Sequence, residues 1–201
     1  MTELGKQDLL DPNLLVRLPK VALHEHLDGC LRPSTMLELA ADVGYEGLPE
    51  SDPDALAEWF FRGADRGSLA EYLEGFAHTI ALMQSASALE RVAYEFLADQ
   101  AADGVVYAEV RFAPHFHTSG ELGLDAVMRA VLDGLTRGGT EHNVGWGLIV
   151  CTMRNGEPDF SEDMAELALA YRNQGCVGFD LAGEEAGNPA KVHVDAFQHV
   201  K

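Results

Sequence analysis

Two histidines separated by one residue, His24 and His26, are the first feature of this sequence that could do chemistry. The residues around them, 21–27, favour a short β-strand that begins after Pro19. Because side chains two apart in a strand point to the same face, both imidazoles should project together. Two imidazoles near the carboxyl end of a strand could share one Zn²⁺. Burying them without partners would be costly, which also favours a metal or ligand there.

The residues that follow strengthen this interpretation, since the spacing alone is common in proteins that bind no metal. Asp28 should lean towards the same end of the strand as the two histidines. Gly29 comes next, as in a loop that must approach a ligand closely. The segment is therefore a candidate metal and ligand site.

Other polar residues have simpler explanations. His115 and His117 repeat the spacing after Pro114, in a predicted loop, and we expect a structural or surface role for them. Glu109 and Arg111 lie two apart on a predicted strand and could form an internal ion pair. The remaining histidines are expected on helices or at the surface: His78, His142, His193 and His199.

The elements that must position these residues are strands alternating with helices. The predicted strands are 21–27, 105–112, 144–151 and 177–181. The first predicted helix is 34–44, with Ser34 as its N-cap, and a short helix follows within 49–67. Ser68 should cap the next helix, and Gly104 should stop the one that begins at 86. The remaining predicted helices are 124–137, 161–173 and the start of another within 189–201. Strands separated by helices favour a parallel sheet.

Two parallel architectures remain open at this point, a doubly wound sheet and a (β/α)₈ barrel. The sequence has no GxGxxG after a strand and no Walker-type glycine loop. A barrel typically needs eight strands and about 250 residues. If the fold is a barrel, the four predicted strands are about its first half.

Composition excludes several classes of function. The 201 residues include 33 acidic and 14 basic side chains, a net charge of −19, which disfavours binding to nucleic acid or to an anionic membrane. No signal peptide or long apolar run is present. Cys30, Cys151 and Cys176 are too few and too scattered for a disulfide framework, so we expect a reducing cytoplasm, with Cys151 and Cys176 as small buried residues.

Four stretches, in order, resemble the adenosine deaminase family. Residues 18–29, LPKVALHEHLDG, are similar to the family's opening strand, and 104–114, GVVYAEVRFAP, to its second. Residues 151–154 resemble the end of its third strand, and residues 178–185 resemble its fourth. The resemblance implies an α/β fold, a (β/α)₈ TIM-type barrel of the metal-dependent hydrolase type, with only its first four strands here. Residues 1–17 would be a leader and 18–201 the N-terminal half of the barrel, with a helical insertion at about 45–85.

The resemblance also implies roles for individual residues. His24 and His26 would be ligands of one Zn²⁺, and His26 and Asp28 would lie against the substrate. Asp28 would accept a hydrogen bond from a ribose hydroxyl, and Gly183 would bring its backbone amide to a purine ring nitrogen. Tyr72, Leu73 and Phe76 would form an apolar wall over the nucleoside, or they simply pack the helix.

The implied reaction converts adenosine or 2′-deoxyadenosine to the inosine product and ammonia. Asp28 favours these substrates, because relatives that act on adenine or other purine compounds carry Glu or Asn there. The family's third zinc histidine and catalytic Glu lie in a His-Ala-Gly-Glu stretch that these residues lack. We therefore expect an N-terminal fragment, inactive alone, whose catalytic Glu lies beyond Lys201.

Two other interpretations stay open. One is an amidohydrolase-type deaminase for another purine compound. The other is a truncated, non-catalytic purine-binding protein, or one that pairs with a second chain supplying the missing C-terminal half. The HxE and PCxxC signature of nucleobase deaminases is absent, so deaminase chemistry here would belong to a different fold.

Overall fold

The computed structural model describes residues 11–65, 67 and 69–201. The strands are β1 (Lys20–His26), β2 (Val105–Phe112), β3 (Gly145–Met153) and β4 (Cys176–Ala182). The helices are α1 (Pro12–Arg17), α2 (Pro33–Val43), α3 (Pro53–Gly63), α4 (Leu69–Leu82), α5 (Ala86–Ala102), α6 (Leu124–His142), α7 (Pro158–Tyr171) and α8 (Val194–His199). Three 3₁₀ turns span Leu27–Gly29, Pro114–His117 and Ala190–His193.

The strand order decides between the two architectures. The four described strands form one parallel sheet in the order β1-β2-β3-β4. A doubly wound sheet places later strands on both sides of the first, whereas a (β/α)₈ barrel adds each strand beside the previous one. The sequential order therefore confirms the prediction of part of a (β/α)₈ barrel.

The opposite faces of the sheet have different surroundings. Successive side chains of a strand alternate between the faces. Leu148 and Val150 of β3 join the apolar core beneath the helices. Cys151, between Val150 and the strand end, instead lines a cleft on the other face. The helices thus bury one side of the sheet and leave the other for the candidate site.

Helix α6 is five residues longer than the sequence predicted, because Gly138 and Gly139 do not end it. A Cβ added at Gly138 would lie 3.1 Å from Leu97 Cβ and from a backbone oxygen of α5. At Gly134 the same atom would lie 2.2 Å from the carbonyl oxygen of Glu90. These glycines let α6 approach α5 closely, and the helix ends only at Asn143, which has a left-handed backbone.

Two predicted helix starts have different outcomes. Helix α2 begins at Pro33, and Ser34 is not its N-cap, since Arg32 occupies that position. Proline at the first helical position has a φ already suited to the helix. The predicted cap Ser68 lies outside the described residues.

The predicted short helix within 49–67 is α3, where the Asp52 side chain accepts hydrogen bonds from the backbone amides of Asp54 and Ala55. The segment predicted as a leader contains α1, and its limit at residue 17 stays a prediction. In the described part of the chain, no helix is long and apolar enough to cross a membrane.

Candidate active site

The two histidines of β1 lie side by side at the carboxyl end of the strand. Their ring centroids are 5.5 Å apart, with the ring planes at 48°. Nδ1 of His26 lies 4.0 Å from Oδ1 of Asp28, and the His26 side chain is 37% exposed. Two imidazoles this close could hold one metal ion.

The histidines open onto a cleft of about 840 Å³ above the carboxyl ends of the strands. This volume lies in the range of small-molecule sites. All of the candidate residues from the sequence line this cleft: His24, His26, Asp28, Tyr72, Leu73, Phe76 and Gly183. The tertiary structure therefore brings together residues from β1, α4 and the end of β4, although their individual roles remain predictions.

Asp28 lies in the 3₁₀ turn after β1 and is only 5% exposed. Its Oδ2 accepts a long hydrogen bond, 3.4 Å, from the backbone amide of Ala113. Its Oδ1 is buried and has no hydrogen-bond partner. Burial raises the pKa of this carboxyl group to about 6, and backbone hydrogen bonds only partly oppose the shift. The unpartnered oxygen is an acceptor available to a ligand.

His26 is held in an environment that favours the neutral imidazole. Burial lowers its pKa, and the charges of His24 and Arg111 lower it further, while Asp180 acts in the opposite direction. The edge of Phe76 packs against the ring, with centroids 6.2 Å apart. Neutral imidazole is the form that binds metal.

Gly183 follows β4 with φ of +97°, a left-handed backbone that disfavours residues with side chains. A Cβ there would lie 3.0 Å from Met153 Cε and 3.7 Å from the backbone nitrogen of Arg154. Arg154 N–H donates a 2.8 Å hydrogen bond to the carbonyl of Ala182. The end of β4 is thus fixed to the end of β3. Gly183, which follows β4, has no side chain that could block a ligand.

The cleft also contains an ion pair that the sequence analysis missed. Arg111 donates to the carboxylate of Asp180 and, at 3.2 Å, to the carbonyl of Leu23. The predicted ion pair between Glu109 and Arg111 is wrong, because Arg111 pairs with Asp180 across the sheet instead. Glu109 instead accepts a hydrogen bond from Tyr107 at 3.1 Å. The sequence did contain a signal for Asp180, since a charged residue near the end of a predicted buried strand indicates a partner or a ligand.

His115 and His117 lie outside the cleft lining. His117 is fully buried, donates from Nδ1 to the Met83 carbonyl at 3.1 Å and stacks on Phe112. His115 packs against the ring of Phe160, with centroids 4.7 Å apart. Burial lowers the pKa of each to about 4. Their environment fits the predicted structural role.

The residues present fit part of a metal site. Within the described ranges, no three His, Cys, Asp or Glu side chains cluster closely enough to hold a metal ion. His24 and His26 supply two nitrogen donors, while a catalytic zinc usually has three protein ligands and an open position. Cys151 and Cys176 are buried free thiols, as predicted, and Cys30 is a half-buried free thiol.

Comparison with known proteins gives a consistent family. The model of a family described as "Adenosine deaminase" matches residues 19–201. An adenosine deaminase of Mycobacteroides abscessus is 51% identical over 197 residues, which is 96% of this chain and 54% of that protein. The chain thus spans about half the length of the curated relatives it matches.

Solved structures are similar to this chain in fold. Arabidopsis ADAL complexed with GMP has a TM-score of 0.78 and 30% identity, covering 94% of this chain and 56% of that one. An amidohydrolase from Burkholderia ambifaria with bound Zn has a TM-score of 0.78, covering 93% and 50%. At 24% identity, the second likeness shows the fold alone.

Proposed function

Since the chain belongs to the adenosine deaminase family, we propose that its cleft is half of a zinc-dependent site that converts adenosine or 2′-deoxyadenosine to inosine or 2′-deoxyinosine and ammonia. The observation that carries the proposal is the convergence of His24, His26, Asp28 and Gly183 on one cleft. These residues come from the ends of two strands, which is where (β/α)₈ barrels hold their active sites.

His24 and His26 would hold the zinc ion. When bound, zinc supplies a Lewis acid that makes water a nucleophile at neutral pH. The two rings line the cleft side by side, and the lowered pKa of His26 keeps a lone pair available. The rest of the zinc site needs donors that the described residues do not provide.

The nucleoside would lie between Asp28 and Gly183. Oδ1 of Asp28 is buried without a partner, so a ribose hydroxyl that donates to it removes an energetic cost present in the free protein. Gly183 lines the same cleft, and its backbone amide would donate to a purine ring nitrogen. Tyr72, Leu73 and Phe76 of α4 would cover the apolar faces of the base.

The described residues lack the third zinc ligand. Four described carboxylates line the cleft, and three of them, all except Glu25, already have a partner or an assigned role. Asp180 is paired with Arg111, and Glu185 with Arg154. Asp28 is assigned to the ribose. We therefore expect the 201-residue chain to bind a purine nucleoside without deaminating it.

The test begins with the reading frame around codon 201. If the frame encodes a longer product with a His-Ala-Gly-Glu stretch, that product should convert adenosine to inosine. Its His26→Ala variant should lose the activity, and His199→Ala, at an exposed histidine, should keep it. Activity on adenine but not on adenosine would favour a deaminase for another purine compound, and a zinc-free product without nucleoside binding would refute the proposal.

A further inference from the structure

We propose that His193 is a positioning residue for Gly183, and so for purine binding, because it holds the peptide of Arg154 that fixes the end of β4. The purine-binding part of this inference rests on the proposed function. His193 ends the 3₁₀ turn Ala190–His193, outside the cleft lining, and is 1% exposed. The sequence analysis expected it on a helix or at the surface, and the buried site is therefore new information from the fold.

A continuous chain of hydrogen bonds passes through the His193 ring. Thr152 Oγ1 and Ser161 Oγ lie 2.9 Å apart, and Ser161 Oγ lies 2.8 Å from His193 Nδ1. His193 Nε2 lies 3.1 Å from the carbonyl oxygen of Arg154. Thr152 and Ser161 are fully buried. The chain thus connects β3, α7 and the turn before α8 through three buried side chains.

For a neutral His193 ring, the Arg154 carbonyl fixes the direction of every hydrogen bond in this chain. The Arg154 carbonyl can only accept, so the ring proton of His193 lies on Nε2. Nδ1 of the neutral ring then accepts, which makes Ser161 the donor to it. Ser161 has used its proton, so Thr152 donates to Ser161. A single tautomer of His193 satisfies all four groups.

A Ser-His pair could also be a nucleophile and its base, which hydrolases use in covalent catalysis. Ser161 has no exposed surface, and neither Ser161 nor His193 lines the described cleft. A substrate therefore cannot reach the hydroxyl group. The pair is a structural connection rather than a second active site.

Arg154 connects His193 to the backbone beside Gly183 by hydrogen bonds. Its carbonyl accepts from His193, and its amide donates to the carbonyl of Ala182 at 2.8 Å. Its guanidinium group also donates to Glu185 at 3.0 Å. Gly183 lies between Ala182 and Glu185 in sequence. Holding the Arg154 backbone therefore holds the backbone of Ala182, directly before Gly183.

The test uses two variants of the 201-residue chain, each of which keeps a polar atom near the position of one nitrogen of the His193 ring. His193→Gln keeps a donor at the position of Nε2, whereas His193→Asn keeps a polar atom near Nδ1 and cannot reach Arg154. We expect hydrogen exchange of the Arg154 amide to rise about tenfold in His193→Asn, relative to Val92 and Val131 in the helices, and to stay near wild type in His193→Gln. The Gly183 amide resonance should shift in the same variant only.

Two further measurements make the outcome independent of variant folding and of the proposed function. Nitrogen-15 spectra of the wild-type imidazoles should show His193 as the neutral Nε2–H tautomer, and the Nδ1–H form would overturn the proposal. Equal exchange in both variants would also overturn it. An adenosine titration should weaken about tenfold for His193→Asn alone. If wild type binds no adenosine, the proposed function fails, and the exchange result still decides whether His193 positions Gly183.

Discussion

Nδ1 of His26 and Oδ1 of Asp28 lie 4.0 Å apart in the lining of the cleft, and Oδ1 has no hydrogen-bond partner. The proposed metal ligand and the proposed ribose acceptor are therefore neighbours. In the proposed function, the reacting purine and its sugar would lie along the same edge of β1. Metal binding and ribose binding are assigned to different side chains, so single substitutions can test each one separately.

Asp28→Asn should weaken adenosine binding about tenfold, because the amide can offer an acceptor to only one of two donors. Adenine has no ribose, so its affinity should not change. Isothermal titration of both compounds measures the difference, with Asp42→Asn on the exposed side of α2 as the matched control. Equal loss for adenosine and adenine would contradict the assignment of Asp28 to the sugar.

His24→Ala and His26→Ala should each weaken zinc binding by about tenfold or more, because each removes one of two nitrogen donors. The measurement is titration of chelator-free protein with zinc chloride. His199→Ala is the control, since that histidine is half-exposed and pairs with Glu166. Unchanged affinity in both β1 variants would mean that the chain holds zinc elsewhere.

Arg111→Met should lower the free energy of unfolding by about 2 kcal/mol, because Asp180 and the Leu23 carbonyl lose their donor. The value is below that of a fully buried pair, since the Asp180 side chain is 35% exposed. Urea denaturation measures it. Arg62→Met removes an exposed pair with Glu58 and should cost less than about 0.5 kcal/mol. A similar small cost for Arg111→Met would show that its ion pair does not stabilise the fold.

Stability should depend on pH through His117. Burial lowers its folded pKa from 6.5 to about 4, so between these values the unfolded chain binds a proton that the folded chain does not. The stabilisation is present above pH 6.5 and is lost as the pH falls towards 4, by about 3 kcal/mol. Asp28 acts in the opposite direction, because its raised pKa stabilises the folded state as the pH falls through about 6.

The difference between wild type and His117→Leu isolates this effect from Asp28. Unfolding free energies at pH 7, 5.5 and 4.5 should show a steeper decline for wild type than for the variant. His199→Leu, at an exposed site, should keep the wild-type slope. Parallel curves for wild type and His117→Leu would mean that His117 is protonated normally in the folded chain.

Gly134→Ala should destabilise the fold by about 2 kcal/mol, because its Cβ would lie 2.2 Å from the Glu90 carbonyl and 2.8 Å from Ala93 Cβ. The two helices would have to separate. Gly123→Ala is the control, since its Cβ would meet nothing within 4 Å and its φ is −82°. Thermal and urea unfolding of the two variants give the comparison, and equal stability would contradict the close packing of α5 and α6.

Local patterns in the sequence were enough to predict several parts of this structure. The limits of β2 match the prediction, and the other strands differ by one or two residues. His24 and His26 were expected on one face because the side-chain period of a strand is two residues. Helix ends were less certain, as α6 shows, because glycine ends an isolated helix but permits close packing between two helices.

The sequence by itself determined the strand-helix alternation, the paired imidazoles of β1 and the family that the ordered stretches resemble. Only the tertiary structure decided the partners of the remaining polar groups. Arg111 and Asp180 are 69 residues apart, and Arg154 and His193 are 39 apart. Hydrogen bonds form over about 3 Å, so such contacts depend on how strands and turns pack rather than on spacing along the chain.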